Sequence, residues 1–498
     1  MRFGTVGALL GWLLIFLSIA MLTPIGFSLY YHDGTWPVFL ASGAAGLAAG
    51  SGLVCLLAPD REISHKDGFA IVGLSWLAAA ALGAMPFYLS GAIPSFLDAY
   101  FEAMSGFTTT GSTILPDVEL LGPGLLFWRS LIQWLGGMGI IVLSLAILPV
   151  LGVGGMQLFQ AEVPGPTKDR LAPRVQDTAR ILWGVYVLFT ALQTGLLMLA
   201  GMNFFDAVCH SFCTLATGGF STKTASVAAY DSAWIDGIIT LFMALAGINF
   251  ALHFRLLTGN VKAFFSNEEL NFYLGVALFA TLYLTLSTVL KGTFETWLQA
   301  FRYVSFQVWS ILTTTGFGTA DFDLWSPDCK ILMVVLMCLG GMAGSTAGGI
   351  KNVRILVFWK FTLAQIKQLI HPKAVVAIKL EGRGIPKEVV RSVLGYLALY
   401  MVVFVVATLI VTSQGVDIVT GSTSVIATLN NIGPGLAEVG PTRHFGLLSD
   451  PAKIALIVCM VAGRLELFTI AVLFAPSYWR GASRPKWRWQ KERREKQV

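Results

Sequence analysis

Apolar residues run through the chain in long uninterrupted blocks, separated by short polar joints. Ten blocks, at about 4–30, 36–58, 69–91, 125–150, 178–201, 233–257, 270–290, 330–358, 389–413 and 452–475, have the length of a bilayer-crossing helix. Such a helix needs about 20 predominantly apolar residues. Four further apolar segments, at about 95–110, 204–217, 300–315 and 418–431, are only 14–16 residues long and end in small and hydroxyl residues. They are too short to span, and they suit re-entrant pore helices that enter and leave the membrane on one side.

Composition narrows the class. Of 498 residues, 55% are hydrophobic and 12% charged, about half the charge of a soluble chain. This excludes a cytosolic enzyme, a disordered chain and a disulfide scaffold. The six cysteines lie almost entirely in apolar stretches. Cys209-His210-x-x-Cys213 reads as packing rather than a metal site. The apolar run from Gly4 to about Tyr31 exceeds a signal-peptide core and predicts a retained span.

Charge placement gives orientation. Segment 351–391 carries +7 and the tail 477–498 carries +6, so a chain of net +6 is −7 elsewhere. The polar stretches 151–177, 359–388 and 477–498 are all rich in Lys and Arg, and the positive-inside tendency assigns them to the cytoplasm. An even number of spans then puts both termini inside. Asp117, Glu119, Asp321, Asp323 and Asp328 are expected outside, clustered at the pore mouth. No soluble domain offers a basic recognition face, so nucleic acid is not an expected partner.

The short segments repeat. They end in Phe107-Thr-Thr-Thr-Gly111-Ser, Ala216-Thr-Gly-Gly219-Phe-Ser, Thr313-Thr-Thr-Gly316-Phe-Gly and Asn430-Asn-Ile-Gly433-Pro-Gly. With Gly111, Gly219, Gly316 and Gly433 as anchors, the spacings are 108, 97 and 117 residues. Two residues before the anchors stand Thr109, Thr217, Thr314 and Asn431; six before stand Ser105, Cys213, Ser310 and Ala427. The following spans carry Gly137, Gly247, Gly341 and Gly463, which align Met138, Ile248, Met342 and Arg464 after them. This predicts an all-α polytopic membrane protein with four pseudo-fourfold span–pore helix–span repeats around one pore, plus two extra N-terminal spans. The divisions are 1–62 for the extra spans, 63–176, 177–263, 264–376 and 377–476 for the repeats, and 477–498 for a basic cytoplasmic tail.

Four glycine-bearing strands around one axis can present rings of backbone carbonyls. Such rings replace the water shell of a monovalent cation, and glycine permits the left-handed backbone they need. The candidate filter is Thr109, Thr110, Gly111; Thr217, Gly218, Gly219; Thr314, Thr315, Gly316; and Asn431, Ile432, Gly433. It contains no carboxylate, which argues against a calcium site. The filter carbonyls are expected to hold the metal ion, K⁺, as substrate, and no cofactor is expected. No catalytic constellation is present, so an enzyme is not expected.

On these four glycine strands and the two leading spans, the chain resembles the TrkH family, the membrane subunits of bacterial Trk potassium uptake systems within the Trk/Ktr/HKT superfamily. The resemblance covers essentially the full length. It implies potassium uptake across the bacterial inner membrane, a homodimer, and gating by a cytosolic TrkA-like nucleotide-binding ring. Alternatives are a K⁺ symporter coupled to H⁺ or Na⁺, and a non-conducting membrane scaffold. No GxGxxG follows a strand here, so any nucleotide site belongs to a partner. Segment 359–388 and the tail are candidate docking surfaces, or contacts to membrane lipid. The second filter strand lacks the Thr-Thr pair, and the fourth reads Asn-Ile-Gly-Pro.

Two gate candidates follow. Gly340, Gly341, Gly344, Ser345, Thr346, Gly348 and Gly349 lie in one ten-residue stretch. Five glycines there cannot sustain a helix at a cost of about 1 kcal/mol each, so an unwound segment is expected below the filter; the resemblance implies a gating loop. Arg464 is an intramembrane cation and thus a functional candidate. Asp98 and Asp206 are expected to cap pore helices, Lys223 to cap a loop, and the facing of Glu102 and His210 is open.

Overall fold

The computed structural model describes residues 3–57, 65–139, 175–374 and 376–479. The polar segment 151–174, the far end of the block 125–150 and the tail beyond residue 479 lie outside them. The described residues form α-helices almost throughout, with one two-residue antiparallel ribbon, Lys379–Leu380 against Arg383–Gly384.

Helices α1 (Phe3–Ala20), α2 (Leu22–Tyr31) and α3 (Trp36–Leu56) make the two leading spans. Glycines bring α1 and α3 together: a Cβ on Gly11 would lie 2.7 Å from the Gly50 carbonyl, and one on Gly50 2.6 Å from that of Gly11. Small residues permit this backbone approach where lipid offers no hydrophobic driving force between helices. Four repeats follow. Their first spans are α4 (His65–Leu89), α7 (Val175–Leu199), α12 (Glu268–Leu290) and α16 (Lys387–Thr412); their pore helices are α5 (Phe96–Phe107), α8 (Phe204–Leu215), α13 (Trp297–Leu312) and α17 (Ile418–Leu429).

Among the described residues, six helical stretches are long and apolar enough to cross a bilayer unbroken. They are the leading pair and the first span of every repeat. The second spans of repeats two, three and four differ from expectation because they are interrupted. In repeat one, α6 (Pro123–Gly137) ends near the limit of the described residues. In repeat two, α9 (Ala233–Ala246) and α10 (Phe250–Leu257) meet at 102°, and the short α11 (Val261–Phe265) follows. In repeat three, α14 (Pro327–Leu339) and α15 (Asn352–Ile370) are separated by the glycine-rich loop, and α15 continues past the expected boundary at 358. In repeat four, α18 (Asp450–Leu465) and α19 (Leu467–Phe474) are parted by Glu466 at φ +67°. Broken backbone at membrane depth is tolerated where it is buried in protein or lines a cavity, and all these breaks fall beneath the anchor glycines.

Candidate functional site

The four pore helices are built alike at their ends. Ser95, Asn203 and Asp417, each 16 residues before its anchor, accept backbone N–H groups of the first turn. Thr296 caps α13 by accepting from Gln299 N, 20 residues before Gly316, so the third pore helix has one extra turn. Asp98 and Asp206 therefore do not cap. They sit inside the first turn, where Asp98 takes the Lys453 ammonium at 2.6 Å and Asp206 accepts from Thr222 Oγ1 and Asn203 Nδ2.

Each pore helix ends four residues before its anchor in the same two bonds. The N–H groups of Thr110, Gly218, Thr315 and Ile432 reach back 2.8 Å to the carbonyls of Ser105, Cys213, Ser310 and Ala427. Those of Thr109, Thr217, Thr314 and Asn431 bond Gly106, Thr214, Ile311 and Thr428 at 3.0–3.3 Å. This paired closure needs a left-handed residue between helix and strand. Thr109, Thr217, Thr314 and Asn431 supply it at φ +53°, +54°, +58° and +54°. Three of them are β-branched, for which positive φ is an outlier; strain of this kind costs about 1–3 kcal/mol per residue and concentrates at functional sites.

The anchors close a ring. A Cβ placed on Gly111 would collide with the Gly218 carbonyl oxygen, one on Gly219 with that of Thr315, and one on Gly316 with that of Ile432. A Cβ on Gly433 would lie 3.1 Å from the Thr110 oxygen, returning to the first strand. The strands thus stand in the order one, two, three, four, one. All four anchors have φ between +75° and +107°, where only glycine is at ease. Thr108 and Thr110 hydroxyls pair at 2.8 Å, as do Thr313 and Thr315. The two divergent strands use amides: Gln133 Nε2 donates to the Gly218 carbonyl at 2.6 Å, and Asn431 Nδ2 donates to Thr110 Oγ1 at 2.9 Å and the Met460 carbonyl at 3.0 Å.

The loop 340–351 lies beneath this ring. Gly348 N donates to Thr314 Oγ1 at 2.6 Å, and Gly349 N to the Asn430 carbonyl at 3.0 Å. Thr346 Oγ1 donates to the Leu215 carbonyl at 2.9 Å, while Met342 N donates to that of Gly247 at 2.9 Å. Gly340, Gly344 and Gly349 take φ of +76° to +78°, and Ser345 folds its hydroxyl onto the Met342 carbonyl. Gly341 packs toward Ala347 across the loop. Arg464 completes the layer: Nη1 donates to Thr109 Oγ1 (2.9 Å) and the Thr346 carbonyl (2.8 Å), and Nη2 to the carbonyls of Gly136 (2.8 Å) and Gly137 (2.9 Å). One guanidinium thus joins the first filter strand, the loop and α6.

Four span–pore helix–span repeats closing one ring around a glycine filter point to a cation pathway, and comparison with known proteins decides the lineage. The family model for TrkH, described as a cation transport protein, matches residues 36–480. The chain belongs to the TrkH family. It is 42% identical over 487 residues to the Trk system potassium uptake protein TrkH of Salmonella typhimurium, covering 96% of this chain and 100% of that protein. It is 33% identical to the Trk system potassium uptake protein TrkG of Escherichia coli, covering 94% and 97%. The crystal structure of the potassium transporter TrkH from Vibrio parahaemolyticus matches with TM-score 0.87 and 38% identity over 96% of this chain and 100% of that one. This TrkH-family chain is thus a membrane-embedded, multi-pass transport protein, not an enzyme, with the all-α polytopic fold expected from sequence.

Within this TrkH-family framework several sequence readings need correction. Gly136 and Gly463 both abut the last carbonyl of their own pore helix, Phe107 and Leu429. Arg464 therefore aligns with Gly137, one position from the register that pairs it with Met138. Asp117, Glu119, Asp321, Asp323 and Asp328 do not line the vestibule above the anchors themselves, but the first three flank it through Thr224, Lys223 and Thr442, which do. Asp117 accepts from Thr224, Glu119 faces Lys223 at 3.6 Å, Asp321 accepts from Thr442, and Asp323 and Asp328 pair with Lys330 and Lys291. The Thr224 hydroxyl and the Glu119 N–H hold the Asp117 carboxyl below the usual carboxylate range. The vestibule over the four anchors is lined by Lys223, Arg443 and His444 and, among the described residues, by no carboxylate.

Glu102 and His210 both bond the chain two or three residues past an anchor glycine. Glu102 pairs with Arg129 at 2.7 Å, both buried, and accepts from Thr113 Oγ1 and Ile114 N. His210 Nε2 lies 3.0 Å from Ser221 Oγ and its ring stacks on Phe317. Sequence reasoning missed Arg129 and Gln133. Both are polar residues inside a predicted span, which is itself a functional signal, applied above only to Arg464.

Proposed function

We propose that this protein conducts potassium inward across the bacterial inner membrane, through a K⁺-selective pore with both termini cytoplasmic. The carrying observation is the closed ring of four glycine strands. Carbonyl dipoles without permanent charge suit dehydration of a large monovalent cation. The names of the relatives, Trk system potassium uptake proteins, support the same ion. Glu102 is engaged by Arg129, which favours a passive pore over proton coupling.

The proposed gate is the layer beneath the filter, comprising Gly340, Gly341, Gly344, Ser345, Thr346, Gly348, Gly349 and Arg464. Its bonds to strands one, three and four support the reading of a closed gate, and a positive guanidinium there would oppose cation passage. Opening then requires those bonds to be exchanged, work that a cytosolic TrkA-like nucleotide-binding ring would supply in a homodimeric assembly, as the family resemblance implies.

The test is flux into proteoliposomes with and without the cytosolic partner. Current reversing at the K⁺ Nernst potential, insensitive to pH and Na⁺ gradients, is expected. Equal K⁺ and Na⁺ flux would sink the potassium assignment, and a reversal potential that follows pH or Na⁺ would replace the channel with a symporter.

A further inference from the structure

Strand two is one of the two strands that lack the threonine pair, and it carries glycine in place of the second threonine. Its filter triplet has Gly218 where strands one and three have Thr110 and Thr315, and Ala216 where they have Thr108 and Thr313. It therefore lacks the hydroxyl pair that braces those strands at 2.8 Å. Yet its carbonyl stands to Gly111 as Thr315 stands to Gly219 and Ile432 to Gly316. Something else holds it.

That support comes from the preceding repeat. Gln133, fully buried on α6, donates through Nε2 to the Gly218 carbonyl at 2.6 Å and accepts through Oε1 from Phe220 N at 3.1 Å. One turn earlier, Arg129 donates through Nη1 to the Ser221 carbonyl at 3.0 Å and lies 3.5 Å from the Phe220 ring centroid. Residues four apart share one helix face, so a single face of α6 grips the strand at 218, 220 and 221. The room for Gln133 exists because residue 218 is glycine: a Cβ there would collide with Gln133 Cδ. By the register of Gly136, Ala246 and Gly463, repeats two and four carry Met243 and Met460 in the place of Gln133, so the side-chain amide serves this strand specifically.

We propose that Gln133 is a specificity-determining positioning residue: its amide replaces the missing threonine pair and fixes the Gly218 carbonyl in the ring that selects K⁺ over Na⁺. This rests on the potassium-pore reading above. A smaller ion is rejected only if the oxygens do not close around it, and a carbonyl freed on one strand can close. A carbonyl with two lone pairs can accept Gln133 and still face an ion.

The test compares K⁺ and Na⁺ flux ratios of the parent, Gln133→Leu and Gln133→Glu in proteoliposomes, with the thermal unfolding midpoint of each. Ionised Glu keeps the size and an acceptor for Phe220 N but has no donor for the Gly218 carbonyl, so it reports on that bond even where Leu fails to assemble. The ratio is expected to fall about tenfold in both, the scale of one buried hydrogen bond, while Rb⁺ flux persists. A variant that unfolds earlier but keeps the parent's ratio would overturn the inference, since Gln133 would then be only structural. A parent without K⁺ preference would instead overturn the potassium reading, so the two failures are distinguishable. An exchange supplies the converse: Gln133→Ala with Gly218→Thr and Ala216→Thr rebuilds the hydroxyl pair and is expected to restore the ratio over Gln133→Ala alone, and no gain over that single variant would count against the proposal.

Discussion

Adding one methyl group to each anchor glycine in turn separates steric closure of the ring from backbone strain. Alanine at any of the four must adopt positive φ, which costs about 1–2 kcal/mol and more at Gly433, whose φ of +107° lies furthest from the left-handed well; that cost falls on stability, whereas the comparison here is of ion selectivity. What differs is the neighbour. At Gly111, Gly219 and Gly316 the new Cβ falls about 1 Å inside the 3.0 Å limit that real Cβ contacts respect, and the obstacle is a backbone carbonyl of the next strand. That strand must shift by about 1 Å, and its carbonyl leaves the ring. At Gly433 the Cβ stands 3.1 Å from the Thr110 oxygen, so a movement of about 0.3 Å restores an ordinary 3.4 Å contact. Measured as K⁺ over Na⁺ flux in proteoliposomes, the first three alanine variants are expected to lose about tenfold in selectivity, equivalent to about 1.4 kcal/mol. Gly433→Ala should keep most of it, and Gly111→Ser should behave like Gly111→Ala. Equal losses at all four anchors, or the largest loss at Gly433, would refute the ordering and with it the idea that strand-to-strand contact sets the ring.

Arg464→Ala is expected to raise K⁺ flux, since a unit charge opposes a cation passing at about 6 Å by about 2.8 kcal/mol at an effective dielectric of about 20; flux no faster than the parent would remove Arg464 from the gate. Glu102→Leu strands the Arg129 charge, buried at 3% exposure, and should cost about 3–5 kcal/mol, read as a lower unfolding midpoint that Glu102→Leu with Arg129→Leu partly recovers; no change in the single variant would show the pair to be inert. Burial, with Arg443 and Lys453 nearby, lowers the His444 pKa, so the folded protein binds this proton less readily than the unfolded chain. Stability contributed there is present above the ordinary histidine value of about 6.5 and is lost as pH falls below it; a parent and a His444→Asn variant with identical pH dependence of unfolding would exclude the effect.

The parts legible in sequence were those with a repeated spacing. Anchor glycines, pore-helix ends and the unwound loop all follow from residue types at fixed offsets, because a left-handed closure accepts few side chains and a glycine run refuses a helix. The extra turn of α13 was also written there: Thr296 and Gln299 have the spacing of a capping box, although apolar content alone placed that segment from 300. What escaped depends on partners far apart in the chain. Gln133 meets Gly218 across 85 residues and Asp321 meets Thr442 across 121, and no local pattern announces either. The one-residue slip at Arg464 has a similar cause: the glycines used for alignment are not the ones that abut equivalent carbonyls.

The joint between the last filter strand and the first bears on how the protein is made. Asn431 meets Thr110, and Ser112 meets the Gly433 carbonyl, each across 321 residues. In a chain synthesised from its N-terminus, three sides of the ion path are in place before this joint has a second half. Contacts so distant form late, so the path acquires its fourth wall near the end of assembly, together with the helix that brings Arg464. The same chain segment that closes the ring therefore delivers the charge beneath it, and on the proposed reading a growing chain is spared an interval in which a complete filter stands open to the cell's ion gradients.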